Sequence, residues 1–414
     1  MRPTGGARPT LEAVAAHAGV SRATVSRVVN GGTGVRGAVR EKVLRSVEAL
    51  GYVPNNAART LVTRRTGAIA VVIAEPESRV FADPFFAQQL RGIGRELAAW
   101  DTQLVLMMLE RSADYGRIGR YLSGGHVDGA LMFSLHGEDP PPGYAPGARE
   151  PDCRPAEGSS ADAGAGSAGG AEGSGGAEGS AEAGGSDGAA AASGEGAGPR
   201  APAATMFGLP AVFGGRPGWR GAEDDPDLLY VDTDNRDGGR QAVAHLLHRG
   251  RRRIAVITGP LDQTSALDRL YGYRDALGLA PGEEDPELVA QGAFTAESGE
   301  RAMAELLDRR PDLDAVFACN DLMASGALRT LRAYGRRVPE DVAVTGYDDL
   351  EPASWSDPPL TTVRQDVEGM GHIMARLLLR RLGLANGPGA EAGAARTRPA
   401  PVITPAQLVV RDST

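Results

Sequence analysis

Five short patterns in this sequence carry residue types that could do chemistry. Gly32 to Gly37 spells GxGxxG, the spacing of a loop that cradles a dinucleotide pyrophosphate. Its context fails, because a helical pattern precedes it where a strand is needed. Gly184 to Gly188 spells GxSxG, the nucleophile-elbow pattern, inside a Gly/Ala/Ser-rich stretch that cannot hold a strained turn. His245 and His248 share a helix face without a carboxylate or Cys at ligand spacing, so helix surface is expected rather than metal. Cys153 and Cys319 lie far apart and offer neither a disulfide framework nor a metal site. No acid/base, metal or cofactor constellation emerges, and no enzyme is expected. The pattern that survives is Arg22, Ala23, Ser26 and Arg27, which fall on the outer face of a short predicted helix near its N-terminal end. An Arg fork matches guanine O6 and N7 and is worth about 1 to 3 kcal/mol against a wrong base. In a chain with 43 Arg and the single Lys42, the bland reading of Arg22 is a phosphate contact.

The elements that must position this face are legible nearby. Leu11, Val14, Ala15 and Ala18 form one apolar helix face, Gly19 permits a tight turn, and Ser21 can cap a second helix whose apolar face is Val25, Val28 and Val29. Two short helices so joined make a helix-turn-helix, whose second helix meets base edges in the major groove. A third amphipathic helix over residues 35–50 turns Val39, Val43, Val47 and Leu50 inward.

Charge at first argues the other way. The 414 residues carry 44 basic and 53 acidic side chains, a net of -9, whereas phosphate binding needs concentrated positive charge. The distribution resolves this. Residues 1–66 hold eleven basic against three acidic side chains, a net of +8. Residues 156–198 contain only Gly, Ala, Ser, Glu and Asp, with a net of -7, which leaves -10 for the rest. Nothing in that stretch is large enough to form a core, so a disordered acidic loop with Pro-rich shoulders is expected. Such an insertion costs its host little, because loop closure grows by only about 0.6 kcal/mol per doubling of length. No window approaches the roughly 18 apolar residues of a membrane span, and the first residues lack a signal-peptide run, so a cytoplasmic protein without a membrane partner is expected.

"TLEAVAAHAGVSRATVSRVVNG" from Thr10 and "VREKVLRSVEALGYVPNNAARTL" from Val39 resemble the DNA-binding head of the lactose-repressor (LacI/GalR) family. The resemblance implies that Arg22, Ala23 and Arg27 read bases and that Thr10, Ser21, Ser26 and Asn30 contact phosphate. It further implies a hinge helix over Asn55 to Val62 that folds on the operator, with Asn55, Ala58, Arg59 and Leu61 on DNA and Leu61 wedged into the minor groove. Eight residues are too few for a stable isolated helix, since those under roughly 12 residues are marginal. DNA must therefore stabilise the hinge, which suits a switch.

Beyond residue 66, apolar runs alternate with helical patterns. Residues 68–74, 104–109, 127–133, 211–213, 254–258, 315–319 and 342–345 read as buried strands, and 85–100, 238–248, 269–277, 297–308 and 322–334 as helices. This alternation indicates parallel sheets with helices on both faces, and the count suffices for two sheets with a cleft between them. The family resemblance continues through "FADPFFAQQLRGI", "YVDTDNRDGGRQAVAHLLHRGRRRIAVITGP", "DRLYGYRDAL" and "FACNDLMASGALRTLR", omitting residues about 138–207 and 384–404. It implies a body of periplasmic-binding-protein type: two doubly wound subdomains, three crossing segments and a ligand between strand C-termini.

The expected architecture is thus an all-α head over 1–54, a hinge and linker over 55–66, and an α/β effector-binding and dimerisation domain over 67–414. By resemblance, Phe85 and Phe86 match cleft-mouth aromatics, Phe294 a stacking aromatic, Arg269 a clamp and Asp348 an acceptor from ligand hydroxyls. Asn320 and Asp321 match a polar pair facing the cleft, and Ser265 lies near it, with Gln263 at a position where members vary. One of the two Phe could be core, Asp321 could be only a helix cap, and Arg269 and Asp348 could pair with each other. The reading is a homodimeric, sugar-responsive repressor of carbohydrate-utilisation genes on a pseudo-palindromic operator. A purine- or nucleoside-responsive regulator and a sugar-binding protein without a DNA role are the alternatives.

Overall fold

The computed structural model describes residues 9–29, 32, 34–52, 65–110, 114–147, 204–384 and 399–414. The expected contacts at Asn30, Asn55, Ala58, Arg59 and Leu61, the hinge helix and the low-complexity stretch lie outside the described residues. In the head, α1 (Leu11–Ala18), α2 (Arg22–Val29) and α3 (Gly37–Leu50) enclose a core in which Val14, Ala18, Val25 and Val43 are fully buried. Each such valine stabilises by roughly 1.5–3 kcal/mol. Thr10 caps α1 by accepting from the Ala13 N–H at 3.3 Å, and Gly19 ends it at φ 59, where a Cβ is disfavoured. The Ser21 hydroxyl accepts from the Thr24 N–H at 3.2 Å and so starts α2. In α3, Val43 and Ser46 are buried while Val39, Val47 and Leu50 are half-buried at the rim.

The body follows in chain order. One subdomain contains β1 (Ala68–Ile73), α4 (Glu77–Ala82), α5 (Pro84–Ala99), β2 (Gln103–Met108), α6 (Asp114–Ser123), β3 (Gly129–Phe133), β4 (Tyr144–Ala145), β5 (Thr205–Met206), β6 (Leu209–Gly214) and β7 (Tyr230–Thr233). The other contains α7 (Asn235–His248), β8 (Ile254–Thr258), α8 (Thr264–Leu277), β9 (Val289–Gln291), α9 (Ala296–Arg309), β10 (Ala315–Ala318), α10 (Asp321–Ala333), β11 (Ala343–Thr345), α11 (Glu351–Trp355) and β12 (Thr362–Arg364). The chain then returns to the first with α12 (Val367–Arg381) and β13 (Val402–Thr404), and ends in the second with β14 (Gln407–Val409).

The first sheet runs β13-β7-β6-β3-β1-β2 and the second β11-β10-β8-β9, each parallel along its path. The inner strands β1, β3, β8 and β10 are nearly continuous buried apolar runs, as sheets covered on both faces require. No helix among the described residues is long and apolar enough to cross a membrane.

Two segments differ from the sequence reading. The stretch set apart as an insertion contributes ordered ends: β4 pairs antiparallel with β5, and β5 with β6. Tyr144 anchors this stem, its ring 4.9 Å from that of Trp219 and its hydroxyl donating to Asp225. The tail likewise supplies β13, an edge of the first sheet. Strands of two or three residues are too short to show a period and exist only through their distant partners.

Among the described residues the subdomains are joined by three crossings, after β7, before α12 and after β13. They are bonded to one another. The Thr233 hydroxyl donates to Gln365 Oε1 at 2.8 Å, the Thr404 hydroxyl to the Asp232 carbonyl at 3.2 Å, and the Asp234 N–H to the Thr404 carbonyl at 2.9 Å.

Candidate functional site

In the head, Ser21, Arg22, Ala23 and Arg27 are exposed and Ser26 is half-buried, all at the start or outer face of α2. Arg22 is paired with Glu12 at 3.0 Å, both side chains being well over half exposed. Solvent screens such a pair, and it holds the guanidinium only weakly, leaving it available to another anion.

The larger site is a cleft between the subdomains, about 870 Å³ of space that opens to solvent, bounded by strand C-termini from both sheets. Phe85, Phe86, Ser265, Arg269, Phe294, Asn320 and Asp348 all line it. Phe86 is nevertheless 2% exposed and part of the first subdomain's core, with the half-buried Phe85 edge-on to it at 5.6 Å. Asp83 aims both of them: it caps α5 by accepting from the Phe85 N–H, and Pro84 occupies the first helical turn. On the opposite side Phe294 lies over Gly259, where an added Cβ would stand 2.1 Å from the ring.

The cleft floor is a connected set of buried polar groups. Arg269 Nε donates to Asn235 Oδ1 at 2.9 Å, one terminal nitrogen donates to the Cys319 carbonyl, and that nitrogen stands 3.6 Å from Asp348 Oδ1. Its guanidinium covers the Tyr347 ring at 3.7 Å. Asp348 also accepts from Gln365 Nε2 at 2.6 Å, and Asn235 Nδ2 donates to Asp232 at 3.0 Å. Because Gln365 takes the Thr233 hydroxyl, the floor is continuous with the crossings. The α7–α8 crossing that brings Arg269 to Asn235 is close: a Cβ on Gly272 would lie 2.2 Å from the Arg236 carbonyl oxygen.

Burial pushes the Asp348 carboxyl well above the ordinary range, against the opposing pull of Arg269, and burial likewise raises Asp232 and Asp83. Asp348 (φ 107) and Phe294 (φ 58) both hold left-handed backbone that side-chain-bearing residues avoid. Such strain persists only where surrounding structure enforces it, and it concentrates at ligand sites. A buried charged pair beside aromatic faces can take a ligand that offers hydroxyls on its edge and an apolar face for stacking.

Two expected residues have other work. Asp321 does not line the cleft. Its two oxygens accept from the Leu350 N–H at 2.8 Å and the Thr362 hydroxyl at 2.5 Å, and burial pushes its carboxyl well above the usual range. Asn320, not Asp321, caps α10, accepting from the Met323 N–H at 2.9 Å while its Nδ2 donates to the Phe294 carbonyl at 3.0 Å. It therefore borders the cleft chiefly by holding Phe294. The residues are adjacent at a helix start, and chain direction sends only the first toward the cleft.

The structure adds a second polar cluster that the sequence reading missed. Glu75 accepts from Arg79 at 2.5 Å and from Gln263 Nε2 at 3.1 Å, and His136 Nε2 stands 3.3 Å away, while His136 Nδ1 meets Asp262 at 2.9 Å. Arg216 adds a two-oxygen grip on Asp268 at 2.8 and 2.6 Å. Both clusters join the subdomains across the cleft mouth. Hydrogen bonding to Glu75 raises the His136 pKa; burial pushes Glu75 up, but His136 and Arg79 overcome it and hold that carboxyl below its usual value. The available signal was positional: charged residues directly after an apolar strand fall where ligands bind in open α/β sheets. His245 meets the Thr414 hydroxyl at 2.8 Å, and no group of three or more metal-ligating side chains occurs among the described residues.

Residues 10–55 match the model of bacterial regulatory proteins of the lacI family, and residues 243–414 that of a periplasmic binding protein-like domain. The HTH-type transcriptional regulator CelR of Thermobifida fusca is 43% identical over 406 residues, covering 98% of either chain. A solved transcriptional regulator CelR-cellobiose complex is 40% identical, with a TM-score of 0.63, over 98% of this chain and 100% of that one. The lac repressor dimer bound to operator and an anti-inducer shares the fold at a TM-score of 0.68 and 24% identity, over 99% of each chain.

Proposed function

This chain belongs to the LacI family of bacterial regulatory proteins, and from that premise we propose that it is a cytoplasmic, homodimeric repressor of carbohydrate-utilisation genes that releases its operator when a sugar occupies the cleft. Cellobiose is the first candidate, being the sugar named with the 40%-identical CelR structure. The observation that carries the reading is the hydrogen-bonded floor joining Arg269 and Asp348 to the three crossings. A sugar that stacks on Phe85 and Phe294 and bonds Asp348 and Arg269 through its hydroxyls contacts the groups whose arrangement sets the angle between subdomains. Ligand shifts that angle only so far as it binds one arrangement better than the other.

In this reading Arg22, Ala23 and Arg27 read base edges, and Thr10, Ser21, Ser26 and Asn30 hold phosphates. Asn55, Ala58, Arg59 and Leu61 form the hinge contact carried over from the resemblance. A two-fold dimer places two heads on a pseudo-palindromic site. The domain limits are 1–54 for the head, 55–66 for the hinge and linker, and 67–414 for the effector and dimer body. The +8 head and the acidic remainder orient the dimer head-first on the duplex.

The test incubates the full-length protein with random duplex DNA, with and without cellobiose, and sequences the retained fraction. An enriched palindrome that cellobiose releases is expected. Absence of any enriched palindrome overturns the regulator reading. An enriched palindrome indifferent to cellobiose, together with no thermal stabilisation by it, overturns the effector assignment.

A further inference from the structure

Arg79 is a cleft cation with no role in the reading above. It extends from α4 so that its guanidinium lies 5.9 Å from the centroid of Phe86 on its own subdomain and 5.2 Å from that of Phe294 on the other. A terminal nitrogen is held by Glu75 at 2.5 Å, and Glu75 is itself gripped across the cleft by Gln263. The guanidinium is thus fixed from both subdomains. Its Nε is buried, yet it has no hydrogen-bond partner among the described residues. A buried donor left unpaired is costly, and such groups in native proteins mark places where something else supplies the acceptor. The same side chain lines the cleft beside Phe85, Phe86 and Phe294.

Resting on the cellobiose reading, we propose that Arg79 is a specificity-determining residue whose Nε–H donates to one hydroxyl oxygen of cellobiose seated against Phe294. The class this favours is a neutral, polyhydroxylated ring. A donor fixed over both aromatic faces supplies a hydrogen bond to an edge hydroxyl and repels a cationic amino sugar. Arg269 and Asp348 grip the ligand from the floor; Arg79 reads it from the opposite wall.

The experiment is calorimetric titration of the full-length wild type and of Arg79→Met with cellobiose and a set of its monodeoxy analogues. Hydrogen bonds to charged groups are worth enough that one analogue should bind the wild type roughly 10- to 100-fold more weakly than cellobiose. Arg79→Met should lose a similar factor for cellobiose and show no additional loss for that analogue. A merely structural role would weaken every ligand alike and preserve the ranking. Arg79→Leu likewise carries no donor, and it gives the same readout should the methionine variant fail to fold. Identical analogue penalties in wild type and variants overturn the role of Arg79 and leave the cellobiose reading intact. No binding of cellobiose by the wild type overturns that reading, and this assignment with it.

Discussion

Replacing Arg269 by methionine keeps much of the apolar stem and removes the cation from the cleft floor. The variant loses the hydrogen bonds to Asn235 and Cys319, the contact with the Tyr347 ring, and the only Arg paired with Asp348 among the described residues. Breaking a buried ion pair from one side costs about 3–5 kcal/mol, because the remaining charge stays buried. At roughly 2–4 °C per kcal/mol for a unit of 150–250 residues, melting should fall by about 6–20 °C.

The loss should depend on pH with a definite sign. Burial has already raised the folded-state pKa of Asp348 above its unfolded value, and removing Arg269 raises it again. The stability this shift contributes is present below the unfolded carboxylate range and is lost as pH rises through the raised folded value. Urea unfolding should therefore show a smaller deficit near pH 5 than near pH 8. Adding Asp348→Asn should recover most of the stability at high pH without restoring cellobiose binding. A deficit below about 1 kcal/mol, or one that the second substitution leaves unchanged, would refute the buried-pair account.

Other outcomes follow from the same geometry. Asp321→Ala should cost about 1–3 kcal/mol by stranding the Leu350 N–H and the Thr362 hydroxyl, while calorimetry on the folded fraction finds sugar affinity unchanged; weakened binding would return Asp321 to the cleft. His136, its pKa raised by Glu75, strengthens the bridge to Asp262 below the ordinary imidazole range and releases it as pH rises through the raised value. Sugar affinity should decline over that window more steeply in the wild type than in His136→Asn, where only the raised Asp348 carboxyl still titrates, as titrations near pH 6 and pH 8 would reveal. Leu61→Ala should weaken operator binding in gel-shift titrations and leave sugar affinity intact. Arg22→Ala should relax base preference at one operator position by about 1–3 kcal/mol, whereas a uniform loss across sequences would make it a phosphate contact.

Much of the fold was legible because its signals are local. The head could be read from Val14, Ala18, Gly19, Ser21 and Val25, whose spacing dictates two helices and a turn whatever lies elsewhere. The strands Ile254–Thr258 and Ala315–Ala318 announced themselves as apolar runs bounded by helical periods. The short strands β4, β5, β13 and β14 did not, since each is defined by a partner far along the chain.

The site divides on the same line. Residue types and spacing by themselves determined a basic reading head, an α/β body with a cleft, and the absence of any credible catalytic motif; resemblance then nominated Arg269, Asp348 and Phe294. Tertiary structure alone decided that Asn320 rather than Asp321 borders the cleft and that Arg269 and Asp348 pair while still lining it. It also decided that Glu75, Arg79, His136 and Gln263 meet across the mouth, although up to 188 positions separate them in the chain. Helix and strand periods are set by near neighbours along the backbone, so a sequence displays them directly. A cleft is made by the closing of two sheets on shared crossings, and the partners it brings together have no local signature.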